Sequence, residues 1–345
     1  MAGSNFEILL LEPESYQEWN QFVDESPQGD VFCYSWWLDA VTKSRFKIYV
    51  LIENGRIVAG MPLALNKAGK IDEPALTRTL GILYSAQLCL DNYSQTSNQR
   101  KWASALLDRI KINDFVQTCT HHTFTDWLPY RWKGLNQTTR YTYILEYRKR
   151  TIDILRNNLE SGCRNVINRA ERNILRVEES TDLKEFYGLV SQSYSRQGLK
   201  FKMQFSDLKT LDDSIKSNGK RVILSAMDER NNVHAAIYIV YNQRSAYYLL
   251  SGGNPGYRKL GGHTLVFWEA IKYFSDKVQY SNFGGSDIQR IESHLRCFGG
   301  ELTQYFHIYN DHAVDKGLKY HLSELSYHTK AFLKKSTERL LFPSI

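Results

Sequence analysis

The sequence predicts an α/β (α+β) fold of two tandem domains, each a mixed, mostly antiparallel sheet flanked by helices. Three observations carry that expectation. At 345 residues the chain exceeds what one hydrophobic core usually serves, so two domains are expected. A unit of helix, strand, turn and strand occurs around residues 36–65 and again around 183–241, an echo of pattern rather than of residue identity. From 245 to 300, strands and helices alternate around two glycine-rich turns, and the rest of the chain is arranged around that stretch.

Composition narrows the class. With 42% hydrophobic and 23% charged residues the chain reads as an ordinary globular protein rather than a disordered one. Its 22 tyrosines and 16 phenylalanines suit strands. A net charge of +7 fits an anionic partner such as a nucleotide, a lipid head group or RNA without requiring one; colloidal solubility explains it equally well. The five cysteines (Cys33, Cys89, Cys119, Cys163, Cys297) are odd in number and lack any C-x-x-C, which predicts reduced thiols and no metal site. No leader pattern opens the chain, and no apolar run approaches the ~18 residues of a membrane span. A cytoplasmic location is expected, without a transmembrane segment and without DNA as a partner.

Taken in order, residues 6–11 read as a strand, and Pro13 opens a helix carrying Tyr16, Trp19 and Phe22. After a turn at 27–30, a second helix holds Phe32, Trp36, Trp37, Leu38 and Val41. Residues 46–52 and 57–65 flank Asn54-Gly55, a pair suited to a type I′ hairpin turn. Further strands are expected at 80–90 and 115–120, with a helix at 98–112 between them. The segment 91–98, free of glycine and basic residues, reads as a loop standing where a phosphate cradle would fall if the halves were copies. His121-His122 is adjacent rather than at i, i+4, and reads as a polar loop end. A strand at 141–147 leads to one basic helical region, 152–174. From Arg140 to Arg176 nine basic residues face four acids, either as a solvated helix face or as a surface for RNA or an anionic acceptor. Helices at 183–194 and 205–215 precede the second hairpin, 221–227 and 233–241. A strand at 302–309 closes the body. The tail to 341 reads as a helix on the body, with weak membrane-surface contact as the alternative.

The stretch from 245 to 300 holds the chemistry. A strand ending near Leu250 runs into Ser251-Gly252-Gly253-Asn254-Pro255-Gly256-Tyr257-Arg258-Lys259-Leu260-Gly261-Gly262-His263, and a helix follows with Leu265, Val266, Trp268, Ala270, Ile271 and Phe274 at helical spacing. Glycines let backbone approach closely, the first helical amides lack partners, and the helix dipole favours negative charge; Arg258 and Lys259 add two formal charges. A phosphate-bearing donor is expected there. A short strand at 278–283, the turn Gly284-Gly285-Ser286-Asp287 and a helix from 288 to the stop at Gly299-Gly300 complete the stretch.

These features resemble the tandem acyltransferase fold of the GNAT superfamily, in particular its FemABX-like and BioF2-like (CelD-like) branch. The residues that carry the resemblance are Arg164 to Arg172, the run from Asn254 to His263 before a helix, Asn282-Phe283-Gly284-Gly285-Ser286-Asp287, and Phe298-Gly299-Gly300-Glu301. It covers most of the chain, most clearly from 153 to 309. It implies a GNAT-like domain at 1–150 serving as scaffold and acceptor cleft, a donor-binding catalytic domain at 151–312, and a helical tail at 313–345. GNAT enzymes bind the pyrophosphate of acyl-coenzyme A with a basic-x-x-Gly-x-Gly/Ala loop; here His263 stands in the last small position. Fem-type relatives keep the fold and take their acyl group from aminoacyl-tRNA.

The implied enzyme is an N-acyltransferase (EC 2.3 class) moving an acyl group from acyl-CoA to an amine, as a small molecule or linked to a lipid or nucleotide. An amino sugar or another cell-envelope or polysaccharide precursor fits. Acyl transfer needs an oriented ester, a neutral nucleophile and donors to the oxyanion. Leu250, Ser251, Gly252, Arg258, Lys259, Gly261 and Gly262 are expected to hold the donor. Asp287, His263 and Tyr305 are the candidate catalytic residues, Asp287 alternatively capping the next helix. Trp36, Ser286 and Arg296 are expected toward the acceptor. Two other readings stay open. A Fem-like transferase would use charged tRNA on the 164–176 face, and a non-catalytic protein would bind a nucleotide or glycan.

Overall fold

The Asn54-Gly55 turn forms as its residues dictate, with both in left-handed backbone (φ 53° and 73°). It joins β2 (Phe46–Glu53) to β3 (Arg56–Ala64) in the computed structural model, which describes residues 6–86, 91–148, 150–173, 175–196 and 198–311. With β1 (Phe6–Leu10) and β4 (Leu83–Tyr84) these strands make an antiparallel sheet in the order β1-β2-β3-β4. Helices α1 (Tyr16–Glu25) and α2 (Ser35–Thr42) bury Trp19, Phe22 and Trp37.

Four expectations in this half are corrected. The strand expected over 80–90 pairs only at Leu83 and Tyr84 among its described residues, because the Leu80 amide turns away to the Cys119 carbonyl (2.7 Å). The expected loop at 91–98 is helical. Asp91 accepts the Ser94 amide at 2.7 Å and so caps α3 (Asn92–Leu107), which begins six residues ahead of the expected start. His121 is no polar loop end. It is buried, with Nε2 3.3 Å from the Tyr280 hydroxyl, and burial holds its pKa well below the ordinary value. The strand expected from 141 starts earlier: β5 (Gln117–Cys119) and α4 (Leu128–Trp132) lead into β6 (Asn136–Glu146).

Beyond β6 the single basic helix divides in two. The Glu160 carboxylate accepts the Cys163 amide at 2.9 Å and starts a new helix, so α5 (Ile152–Asn157) stops and α6 (Ser161–Arg172) follows. Next come β7 (Arg176–Glu179), α7 (Leu183–Arg196), α8 (Phe205–Asn218), β8 (Lys220–Met227), β9 (Val233–Tyr241) and β10 (Ser245–Gly253). Then α9 (Gly262–Phe274), β11 (Tyr280–Asn282), α10 (Gln289–Arg296) and β12 (Glu301–Tyr309) complete the body. The tail expected to be helical lies outside the described residues.

The second sheet has eight strands in the order β5-β12-β6-β11-β10-β9-β8-β7. Every neighbouring pair is antiparallel except β10 and β11. Strands from both sides of residue 150 share it. One core cluster likewise joins Trp19, Phe32 and Trp37 to Phe186, Tyr238 and Tyr247. The helix α9 packs on β8 and β9, with Trp268, Ile271 and Phe274 fully buried. That packing holds the α9 N-terminus against the sheet, beside the parallel pair.

Candidate active site

The site opens where the one parallel pair comes apart. Register holds for three residues, Ser245 with Tyr280, Ala246 with Ser281, and Tyr247 with Asn282. Past that point β10 bulges between Tyr248 and Leu250, so Leu249 has no partner in the β9 register. On the other side Asn282 Oδ1 accepts the Thr142 hydroxyl (2.6 Å) and the Gly284 amide (2.9 Å), and the chain turns at Gly284 (φ 78°). A cleft of about 740 Å³ lies between the diverging strands. Leu249, Leu250 and Ser251 form one wall, and Phe283, Gly284, Gly285 and Ser286 the other.

The N-terminus of α9 closes one end. The 3₁₀ turn Pro255–Leu260 stops at Gly261, whose φ of 87° favours glycine and where a Cβ would sit tightly, 3.0 Å from Val166. The first amides of α9 have no acceptor within the helix and present partial positive charge. Arg78, Arg169, Arg196, Arg258 and Arg290 also line the cleft, and no Asp or Glu does so among the described residues. None of the five forms an ion pair with a carboxylate among those residues. Burial lowers the pKa of Arg196, and the charges of Arg258 and Arg290 lower it further. The site holds concentrated positive charge.

Three histidines face the same space. His263 bridges Ser251 Oγ (3.1 Å from Nε2) and His294 Nε2 (3.2 Å from Nδ1). Burial, then His294, Arg196 and Arg258, push its pKa down to about 3, so at neutral pH it is an uncharged hydrogen-bonding group. His234 stacks on Tyr257 with centroids 4.2 Å apart, and its Nε2 meets Asp228 at 3.2 Å.

Of the residues expected from sequence, Leu250, Ser251, Arg258, Gly261, Gly262, His263 and Ser286 come together on the cleft. Gly252 lies behind the wall; a Cβ there would sit 2.4 Å from the Val190 amide, so the glycine lets α7 approach β10. Lys259 is exposed and outside the lining. Asp287 is exposed too, its charge acting on Arg140; the helix-capping alternative is not met, since α10 starts behind Ile288 with no side-chain cap bond, and Ser286 Oγ accepts the Ile288 amide (3.1 Å) ahead of it. Tyr305 stands opposite Arg140 across β6 and β12, its pKa raised to about 12 chiefly by burial. Arg296 pairs with Glu292 (3.3 Å), and Trp36 stacks on Tyr34 while its carbonyl accepts Ser214 Oγ (3.2 Å); neither lines the cleft. Sequence reasoning missed Arg78, Arg196, Arg290 and His234. Arg196, in the last turn of α7 ahead of Gly198, carried a helix-end signal; Arg78 carried none.

Comparison with known proteins agrees with this geometry. Residues 156–289 match the family described as an acetyltransferase (GNAT) domain. The fold is similar to the crystal structure of FemX at 14% identity, with 87% of this chain and 96% of that one covered and a TM-score of 0.65. It is similar to L-PGS from Bacillus licheniformis at 14% identity, covering 87% and 92% with a TM-score of 0.50. A conserved protein of unknown function from Bacteroides thetaiotaomicron is also similar, at 9% identity, 89% and 100% coverage and a TM-score of 0.51. A search of curated protein sequences returned no match. The chain thus carries a GNAT acetyltransferase domain within a FemABX-like tandem GNAT fold, and it is an acyltransferase. The matched segment takes in Arg169, Arg196, Arg258 and the whole α9 loop. Among the described residues no helix is long and apolar enough to cross a membrane, and no three His, Cys, Asp or Glu side chains gather as a metal-binding group.

Proposed function

We propose that the cleft binds acyl-coenzyme A and that the protein, acting in the cytoplasm, transfers the acyl group to an amine on an amino sugar or another cell-envelope precursor. One observation carries this reading: five arginines and the α9 N-terminus line a space that no carboxylate lines among the described residues, where β10 and β11 part. The pyrophosphate would meet Arg196, Arg258 and the amides of Gly262 and His263. The thioester carbonyl would lie along the bulged backbone of 249–252, where amides stabilise the oxyanion of the tetrahedral intermediate. His263, held uncharged, keeps Ser251 in place rather than taking a proton, since a base works best with a pKa near the operating pH. Asp287 and Tyr305, both beside Arg140, orient the acceptor.

A second reading, transfer from aminoacyl-tRNA, draws on the basic face from Arg164 to Arg176, along α6 and into β7. Two of its arginines are already engaged. Arg164 donates to the Asn157 carbonyl at 2.9 Å, and Arg176 to Glu178 and to the Asp228 carbonyl, both at 2.7 Å. Arg169 and Arg172 remain, a small footprint for a tRNA.

Thermal stabilisation decides between them. A ligand that binds only the native protein adds about 2.7 kcal/mol of stability at a hundredfold excess over Kd, a clear shift in Tm. We expect coenzyme A and its acyl esters to give that shift and Arg258→Ala to abolish it. No shift, with tRNA binding that weakens steeply with salt, would instead establish the Fem-like reading. Silence in both would leave a nucleotide- or glycan-binding protein without turnover.

A further inference from the structure

Beside the donor cleft the large sheet brings a second set of groups into one row. The Tyr143 amide bonds the Gly284 carbonyl (3.1 Å), which sets β6 against the turn that walls the cleft. One strand further, Arg140 faces Tyr305 on β12; one more brings in Cys119 on β5, its Sγ 3.9 Å from Arg140 Nη1. Asp287, from the turn itself, acts on the Arg140 charge. The loop between β3 and β4, where Asp72 Oδ1 accepts Gln117 Nε2 of β5 at 3.1 Å, supplies Glu73, whose carboxyl feels Cys119, Arg140 and Arg78. Arg78, from the same loop, donates Nη2 to the Leu249 carbonyl at 3.0 Å, so the row meets the donor cleft at the bulge. Among the described residues neither Glu73 nor Arg140 closes an ion pair, although each feels the other's charge.

We infer that this row is the acceptor site, where Glu73 takes the proton of the attacking amine and Arg140 holds an anionic group, carboxylate or phosphate, on the same acceptor. It rests on the acyl-transfer reading above. As the amine nitrogen bonds to the acyl carbon, the N–H proton passes to the Glu73 carboxylate. The thioester C–S bond then breaks and the thiolate leaves, taking a proton from the Glu73 acid. Burial lifts the Glu73 pKa to about 7; Cys119, Arg140 and Arg78 pull against the rise and Asp72 adds to it. A carboxyl near the operating pH is one suited to accept and return a proton.

The test measures coenzyme A release from acetyl-coenzyme A with three primary amines: one uncharged, one bearing a carboxylate, one bearing a phosphate. Glu73→Gln is expected to lower kcat/KM by about 10²–10³-fold and to remove the acid limb of the pH profile near 7, with the thermal shift by acyl-coenzyme A intact. Arg140→Ala is expected to raise KM for one of the anionic amines about tenfold or more beyond any change it makes for the uncharged amine, which identifies the group. A Glu73→Gln protein within about threefold of wild type and with the same acid limb overturns the inference. So does an Arg140→Ala protein that treats all three amines alike, and this arm decides alone should Glu73→Gln fail to fold. Absence of the acyl-coenzyme A shift in the wild type would sink the donor reading and this one with it. An intact shift with an active Glu73→Gln removes the acceptor site only.

Discussion

Gly285 tolerates no side chain: a Cβ would fall 1.7 Å from the Tyr141 carbonyl oxygen. Gly284 beside it has open space but a φ of 78°, so its requirement is conformational rather than steric. The two substitutions should therefore separate. Gly284→Ala should destabilise by about 1 kcal/mol, and Gly285→Ala by about 1–3 kcal/mol as β6 and the turn are forced apart. Urea midpoints at unchanged m-value would show the difference; equal midpoints would mean that the wall of the cleft yields. Both glycines stood out in the sequence because a doubled glycine between a strand and a helix is a local signal. Arg78 and Glu73 could not be seen that way. Arg78 reaches a carbonyl 171 positions away, and Glu73 meets Cys119 only because β5 joins the large sheet.

At the scale of the element, α9 and its loop were legible because amphipathic spacing and glycine placement are both local. The error at 91–98 has a local cause too. Asn, Ser, Thr and Gln read as loop formers, and the single Asp91 cap tipped them into a helix. The role of His263 was beyond reach, since its neutrality depends on burial in the folded cleft wall, then on His294 from α10 and Arg196 from α7. A free histidine takes its proton near 6.5, whereas the folded protein withholds it until about 3. The unfolded chain thus binds more protons between those values, and stability falls as pH drops from 6.5 toward 3. His263→Gln should lose that part of the acid sensitivity, read as the difference in urea midpoint between variant and wild type across the window. Bound donor phosphates, by neutralising Arg196 and Arg258, should move the His263 imidazole titration upward in NMR. Parallel acid curves for the two proteins would show that the ring ionises freely in the cleft wall.

Across the whole molecule, the elements were readable one at a time but their joining was not. Nothing local in 117–146 announces that β5 and β6 will flank β12 and β11 rather than extend the first sheet. The seam between the early chain and the late one holds Asp30, fully buried. It accepts the Phe32 amide (2.9 Å), the Tyr247 hydroxyl (3.1 Å) and the Thr79 hydroxyl, while the Phe32 and Tyr247 rings pack edge to face at 4.7 Å. Burial raises its pKa from 3.8 to about 7, against the pull of those hydrogen bonds. The native state therefore keeps a proton that the unfolded chain gives up above 3.8. Its contribution is complete below that value, is lost as pH rises to about 7, and stays lost above it. Asp30→Asn keeps an acceptor for the Phe32 amide and cannot ionise. Its stability relative to wild type should therefore climb between about pH 4 and about pH 7 and then level off. Because Arg244 also crosses the seam, to the Asp24 carbonyl at 2.6 Å, the fold should survive the change and the comparison remain two-state. Chemical unfolding of both proteins over that range measures it. A flat difference would mean that Asp30 stays charged in the seam, held by its three donors against the loss of water.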